Sequence, residues 1–306
     1  DKKEAGAKAE KVNVGIVQLV EHEALDAANK GFVDGLASKG YKEGQNITFD
    51  KQNAQADQSN LQNIAHRFVN NKVDLICAIA TPAAQTVANV TSDIPIVATA
   101  VTDYKTAKLV KDDAKPGTNV TGTTDMNPVA EQLDLLLKLV PNAKTIGTIY
   151  CSSEVNSQLQ VELLKKAAAA KGITVKEATV STVNDIQQAA RSLAGDVQAV
   201  YVPTDNVLAS AIPTLISVTE EAKLPVICAE GGMVRAGGLA TMGVDYYKLG
   251  FQTGVMAADI LSGKAKPADM AIQAQKEFKP TINLKEAAKI GLKVPEDLLK
   301  GAEVIK

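Results

Sequence analysis

Apolar residues fall along this chain in two rhythms, and the order of the rhythms is written twice. Runs of strand length occur near residues 12–18, 46–50, 73–79 and 94–99, and again near 144–150, 173–180, 197–202 and 224–228. Between them lie stretches of helical period, roughly 25–39, 57–71 and 82–90, then 155–171, 183–194 and 206–221. In the first of these, Leu25, Ala28, Phe32, Gly35 and Leu36 share one face, the i, i+3, i+4 spacing of a core-facing stripe. Asp57-Gln58-Ser59-Asn60 supplies cap residues for a helix carrying Leu61, Ile64, Ala65 and Phe68.

The two halves are related by a near-constant offset. Gly15 and Gly147 stand 132 residues apart, as do Gly40 and Gly172. The run Val73 to Ala80 answers Val197 to Val202, and Asp93-Ile94-Pro95-Ile96-Val97 answers Lys223-Leu224-Pro225-Val226-Ile227. Strands alternating with helices of 10 to 15 residues predict an α/β chain, with parallel sheets covered on both faces. Right-handed crossovers then bring every strand-to-helix loop to one edge of its sheet, where ligands of open α/β sheets bind. That selects the loops at 18–24, 80–85, 99–104, 151–157, 203–206 and 228–233. Two such lobes in one chain predict a cleft between them and a small ligand within it.

Asn119-Val120-Thr121-Gly122-Thr123-Thr124 is a β-prone passage from the first half to the second. Gly237 to Gly243 reads as a further strand, followed by a helix at about 246–262 with Leu249, Thr253, Met256, Ala257 and Ile260 on one stripe. Both are unpaired in the repeat, so the chain is expected to return to the first lobe there. The predicted division is a flexible leader at 1–11, an N-terminal lobe of 12–122 plus about 246–278, and a C-terminal lobe of 123–245 plus about 279–306. Extended segments crossing the waist several times suit rigid-body hinge closure.

Composition narrows the function. A length of 306 residues suits two lobes, each with its own core. A formal charge of −2 and the lack of a dense Lys/Arg block give no footprint for nucleic acid. With only His22 and His66, a multi-histidine metal site is not expected, and no cofactor is. Cys77, Cys151 and Cys228 are odd in number and widely spaced, and read as buried small hydrophobes. The first ten residues are polar and non-periodic. They carry neither an initiator Met nor a signal peptide, as expected of a processed or truncated chain.

The chemistry-bearing loops are short. Thr81-Pro82-Ala83-Ala84-Gln85 follows a strand and opens a helix, where free N–H groups and the helix dipole would attract a carboxylate or phosphate. Simple capping by Thr81 is the alternative. No glycine-rich phosphate loop occurs, so a nucleotide is not expected. Ser152-Ser153-Glu154-Val155-Asn156-Ser157 and Pro203-Thr204-Asp205-Asn206 open helices in the second half and could be caps alone. The repeat puts Asp205 opposite the Thr81 loop, an arrangement suited to an α-amino acid. Asp103, Glu154, Asp205, Glu230 and Asp245 are the acids near the predicted mouth that could meet an ammonium, and Thr102 lies beside Asp103. Gln18 ends the first strand, and His22, between Glu21 and Glu23, reads as a rim hydrogen-bonding group. Tyr104, Tyr150 and Tyr246 are the aromatics nearest the mouth, each also explained by core packing.

Taken together these loops resemble one family. Gln18-Leu19-Val20-Glu21-His22, Thr81-Pro82-Ala83-Ala84-Gln85, Asn119-Val120-Thr121-Gly122, Glu154-Val155-Asn156-Ser157, Pro203-Thr204-Asp205-Asn206 and Gly243-Val244-Asp245-Tyr246-Tyr247-Lys248-Leu249-Gly250 carry the likeness. They are similar to loops of the substrate-binding proteins of ABC importers for tryptophan or tyrosine. The resemblance implies a periplasmic-binding-protein type I fold, with two Rossmann-like lobes and three hinge crossovers. It implies an extracytoplasmic receptor, periplasmic or lipid-anchored, that closes on an aromatic amino acid (Trp, Phe or Tyr) and presents it to a membrane permease. It further implies that Thr81 to Gln85 hold the ligand carboxylate, and that Glu154, Asn156, Asp205 and Glu230 read the ammonium and side chain.

Two other functions share such lobes. A racemase-like amino-acid enzyme would need paired thiols at equivalent strand ends. Cys151 answers Leu19, Cys228 answers Ala98 and Cys77 lies within a strand, so no pair forms. The effector domain of a transcription regulator would need a DNA-reading helix-turn-helix ahead of the first strand. The eleven residues before Val12 are not helical in pattern. Nothing in the chain demands an oligomer, and a monomer is expected.

Overall fold

The computed structural model describes residues 11–306. The expected leader, Lys11 apart, lies outside the described residues. The chain forms two compact units.

The first unit takes the described residues up to Glu21, then Leu25–Asp125 and Tyr246–Ala274. Its elements are β1 (Val12–Gln18), α1 (Glu23–Ser38), β2 (Ile47–Asn53), α2 (Gln58–Asn70), β3 (Leu75–Ile79), α3 (Thr81–Val90), β4 (Ile96–Val101) and β5 (Val120–Thr124). The second unit takes His22–Ala24, Met126–Asp245 and Gln275–Lys306. It holds α4 (Val129–Leu139), β6 (Thr145–Cys151), α5 (Val155–Ala169), β7 (Thr174–Val180), α6 (Ile186–Ala194) and β8 (Ala199–Val202). There follow α7 (Asn206–Ser210), α8 (Ile212–Glu221), β9 (Val226–Cys228), α9 (Gly231–Arg235) and β10 (Ala240–Gly243). The chain next gives the first unit α10 (Tyr246–Leu261) and β11 (Gln273–Ala274). It ends in the second with β12 (Lys279–Asn283), α11 (Leu284–Lys289), α12 (Glu296–Leu299) and β13 (Glu303–Ile305).

The first sheet runs β11-β5-β4-β3-β1-β2, with every pairing parallel. The second runs β13-β12-β10-β9-β8-β6-β7, parallel except where β12 lies antiparallel to β10. The order 2-1-3-4-5 of the first is therefore repeated as 7-6-8-9-10 in the second. In each, the strand order reverses beside the first strand of the repeat. β3 and β4 are buried along their whole length, as their unbroken apolar runs require of strands covered on both faces.

The two glycine pairs have structural reasons. A Cβ at Gly15 would meet the Phe68 ring at 2.7 Å, and one at Gly147 would meet Leu193 and Val197 at 3.2 and 3.3 Å. Each glycine thus admits the helix, or the residue just beyond it, that crosses the first strand. Gly40 and Gly172 follow α1 and α5 at φ +92° and +70°, the left-handed turn that ends a helix.

Three expectations change. The helix expected over 206–221 is two helices, α7 and α8. Ala211 leaves helical geometry at φ −143°, and Pro213, near the start of α8, has no N–H to continue the ladder. The strand expected from Gly237 begins only at Ala240, because Gly237 sits at φ +136° and the Gly238 N–H closes α9 on the Met233 carbonyl. The passages between units fall after Asp125 and Ala274 rather than near 122 and 278. The Asp125 N–H still pairs with the Val101 carbonyl, and β11 still pairs with β5.

Candidate ligand-binding loops

In the first unit the β3-to-α3 turn is the open one. Its N-cap is Ala80, held at φ +92° and ψ 154°, and no side chain caps the helix. Pro82 stands in the first turn, and the Ala84 N–H already pairs with the Ala80 carbonyl at 3.1 Å. Thr81, Ala83 and Ala84 are buried, and the Thr81 hydroxyl finds no partner among the described residues. Gln85 is committed elsewhere, donating to the Ala107 carbonyl at 3.3 Å. A buried helix N-terminus with its dipole uncompensated and a hydroxyl in reserve suits an anion.

Around it the polar groups of the first unit are spent on the fold. Thr102 Oγ1 donates to Asp125 Oδ1 at 2.9 Å, and the Tyr246 hydroxyl donates to Asp125 Oδ2 at 2.6 Å. Burial pushes the Asp125 acid up, against the pull of those two bonds. Gln18 donates to the Val20 carbonyl and Asp26 and accepts from Asn29. Asp103 accepts from the Thr106 N–H at 2.8 Å. The Tyr104 hydroxyl donates to the Ala98 and Thr123 carbonyls from a fully buried ring.

In the second unit the equivalent turn, β8 to α7, is filled. Asp205 is the N-cap where the first unit has Ala80. Its Oδ1 accepts from the Leu208 N–H at 2.9 Å, and its Oδ2 accepts from the Cys151 N–H and the Ser157 hydroxyl, both at 2.6 Å. Glu154 occupies the same helix end. Its oxygens accept from the Asn206 N–H at 3.0 Å, the Asn206 side-chain amide at 2.6 Å and the Val207 N–H at 3.4 Å. Burial and the neighbouring Asp205 carboxylate push the Glu154 acid well up, and burial raises Asp205 as well. Asp205 was expected to reach a ligand; its two oxygens accept three donors and tie α7, β6 and α5 together. Asn156 donates to the Thr204 carbonyl at 2.9 Å and to Glu154 at 3.3 Å, while its Oδ1 is buried without a donor among the described residues.

The remaining expected residues divide. His22 belongs to the second unit, its Nε2 lying 2.9 Å from Asn206 Oδ1. Because the Asn206 amide nitrogen donates to Glu154, that Oδ1 is an acceptor and His22 Nε2 carries the proton. Glu230 is a buried N-cap, accepting from the Met233 N–H at 2.7 Å. Ser152 is exposed and turned to the Val180 carbonyl, and Asp245 is exposed. The hydroxyls of Tyr150 and Tyr246 go to Glu177 and Asp125.

Asp125, Asn127 and Gln160 were missed. Gln160 accepts from the Thr204 N–H at 2.9 Å and from Asn127 at 3.0 Å, and Asn127 in turn accepts from the Tyr201 hydroxyl. A signal existed: Asn156 and Gln160 fall on the same α5 stripe as Leu164 and Ala168, polar residues on a buried face.

The family model for ABC transporter substrate binding protein matches residues 13–306. The chain belongs to that family. This substrate-binding protein is 48% identical over 265 residues to a tyrosine-binding protein of Clostridioides difficile, covering 87% of this chain and 76% of that one. A Streptococcus pneumoniae ABC domain solved in complex with L-Trp is 41% identical, with a TM-score of 0.93, covering 97% of this chain and all of the other. A glucose-galactose binding protein from Geobacillus stearothermophilus is 20% identical, with a TM-score of 0.66 over 89% of this chain and 97% of its own, and shares the fold alone. That fold is the periplasmic-binding-protein type I architecture. Binding proteins of ABC importers work outside the cytoplasm. Among the described residues no helix of this substrate-binding protein is long and apolar enough to cross a membrane.

Proposed function

We propose that this protein captures an aromatic amino acid, tyrosine or tryptophan, and hands it to an ABC permease without transforming it. The single observation that carries the reading is the asymmetry between equivalent helix ends. α7 has its N-terminus filled by Asp205 and Glu154, whereas α3 has an alanine cap, no side-chain partner and a buried, unpaired Thr81 hydroxyl. The α3 end receives the ligand carboxylate, through Thr81 Oγ1 and the N–H groups of the first turn including Ala83. The tyrosine- and tryptophan-binding relatives support the side-chain class. The protein acts as a monomer, periplasmic or lipid-anchored, and the permease recognises its loaded form.

The test is a thermal-shift panel of the twenty amino acids on protein unfolded and refolded to strip carried ligand, followed by calorimetric titration of those that shift it. At about 100-fold excess over Kd a ligand adds roughly 2.7 kcal/mol, a few degrees for a chain of this size. A shift confined to aromatic amino acids is expected, with the free ligand recovered unchanged. A panel without any shift rejects the amino-acid class.

A further inference from the structure

The chain passes between the two units after Asp125, after Asp245 and after Ala274. On the first-unit side these crossings are fastened to one another. β11 pairs with β5 up to the last residue before the third crossing, Ala274 lying opposite Thr124. Tyr246, the first residue past the second crossing, donates its hydroxyl to Asp125, the last residue before the first. Gln252 of α10 donates to Gln273 of β11 at 2.6 Å.

On the second-unit side the strand pairing stops short of the crossings. β10 ends at Gly243 and β12 begins at Lys279, opposite one another, so Val244, Asp245 and residues 275–278 lie beyond the ladder. Gln275 spans that gap with its side chain. Its Oε1 accepts from the Asp245 N–H at 2.8 Å, and its Nε2 donates to the Asp245 carbonyl at 3.2 Å. The amide thus offers Asp245 the two bonds that a facing residue exchanges in a hydrogen-bonded antiparallel pair. The opposite amide orientation would set donor against donor and acceptor against acceptor, so the two bonds fix the assignment.

The position of this tie matters more than its strength. It lies at the surface, where a hydrogen bond replaces one to water and adds little to stability. It joins the last residue before the second crossing to the first residue after the third. With both flanks held, these two crossings have the Asp245–Tyr246 and Ala274–Gln275 junctions in which to turn, and the tie obliges the junctions to turn together. Hinges are a few element-terminal residues that absorb the change in φ and ψ. Fewer independent bends leave a larger fraction of unliganded protein competent to bind, and apparent affinity scales with that fraction.

We propose that Gln275 is a positioning residue of the hinge, coupling the second and third crossings so that they bend as one and raising affinity for the ligand without touching it. This rests on the receptor reading above, the amino-acid class entering through the choice of probes.

The experiment compares wild type, Gln275→Met and Gln275→Glu. Each is titrated calorimetrically with L-Tyr, L-Trp and L-Phe, and its unliganded thermal midpoint is recorded. Small-angle X-ray scattering is measured without ligand and at saturation with the tightest of the three. Methionine keeps the length and loses both bonds; glutamate keeps an acceptor for the Asp245 N–H and loses the donor. Gln275→Met is expected to weaken every amino acid that wild type binds by one common factor of about three- to tenfold, and Gln275→Glu by a smaller one. Midpoints should hold, as for other surface substitutions. The unliganded scattering curve of Gln275→Met should depart from that of wild type, and the saturated curves should coincide. Losses that differ between ligands would mean that the side chain meets the ligand, and unchanged affinities that the crossings need no tie; either overturns the proposal. A lowered unliganded midpoint would assign Gln275 to stability and overturns it as well. A wild type that binds none of the three removes the amino-acid class, a distinct result. The unliganded scattering then still decides the hinge: a departure of Gln275→Met from wild type supports it, and coincident curves overturn it.

Discussion

At the scale of single residues, the same chemical group does opposite work depending on who already holds it. Asp205 and Thr81 were both expected at the ligand; Asp205 holds three internal donors, whereas the Thr81 hydroxyl has no partner among the described residues. Asp205→Ala removes a cap, worth about 1 kcal/mol, and strands the Cys151 N–H, about 1–3 kcal/mol when buried without a partner, while the Ser157 hydroxyl is left with the Thr204 carbonyl at 3.3 Å. A loss of about 2 kcal/mol or more is expected in denaturant unfolding, seen before any ligand is added. Thr81→Val keeps the shape and removes only an unpaired hydroxyl. Stability should hold or rise, while ligand affinity falls by about 1.5–3 kcal/mol, the worth of a hydrogen bond to a charged group. If Thr81→Val melted early and bound normally, the assignment would be reversed. The sequence showed which loops carry the chemistry, because Ser/Thr/Asn/Asp clusters after apolar runs are local signals. It did not show which oxygen is free: the partners of Asp205 and Glu154 lie about 50 residues away in the chain.

Among the elements, the contact most exacting about residue size joins α1 to α10 inside the first unit. A Cβ on Gly31 would fall on the Tyr247 carbonyl, one on Gly35 on that of Phe251, one on Gly250 on that of Ala28 and one on Gly254 on that of Phe32. Each helix presents glycines four residues apart to the backbone of the other, so the pair packs at backbone distance. Gly250→Ala gains up to about 1 kcal/mol of helix propensity. Against that, a methyl group must push apart helices pinned at four points, and overpacking of this kind costs about 1–3 kcal/mol. The clash should win, with a lowered thermal midpoint. Gly195→Ala is the control: its φ is −84° and nothing lies within 4 Å of its Cβ, so that variant should be neutral or slightly more stable. Equal behaviour of the two would mean that α1 and α10 are not held so closely. The apolar stripes of both helices were legible, Gly35 among them. The reason for the glycines was not, since periodicity reports which face is buried and not how near the neighbour comes.

For the molecule as a whole, the repeated order 2-1-3-4-5 and 7-6-8-9-10 was legible because it rests on element order and handedness, which two glycine pairs and two Pro-containing strand entries mark locally. The final forty residues were not, since they carry no repeat. There the antiparallel β12 and the helix α11 bring Glu286 to the Glu220 carboxyl of α8. Burial and that neighbour push the Glu286 acid up to about 8, with Lys289, 3.7 Å from Glu220, pulling the other way. The folded chain therefore keeps a proton that the unfolded chain, with an ordinary glutamate near 4.5, has already released. Stability from this group is full below about pH 4.5, declines as pH rises and is gone once pH passes about 8. Asp125, Glu154 and Asp205 are raised by burial as well and add slopes of the same sign. Comparison of wild type with Glu286→Gln cancels those shared slopes. Glutamine cannot ionise, so thermal midpoints taken from pH 5 to 9 should diverge steadily, the variant gaining on wild type as pH rises and the gap levelling above about 8. Parallel curves across that range would mean that Glu286 titrates as an ordinary surface acid, and that α8 and α11 do not press two carboxyl groups together.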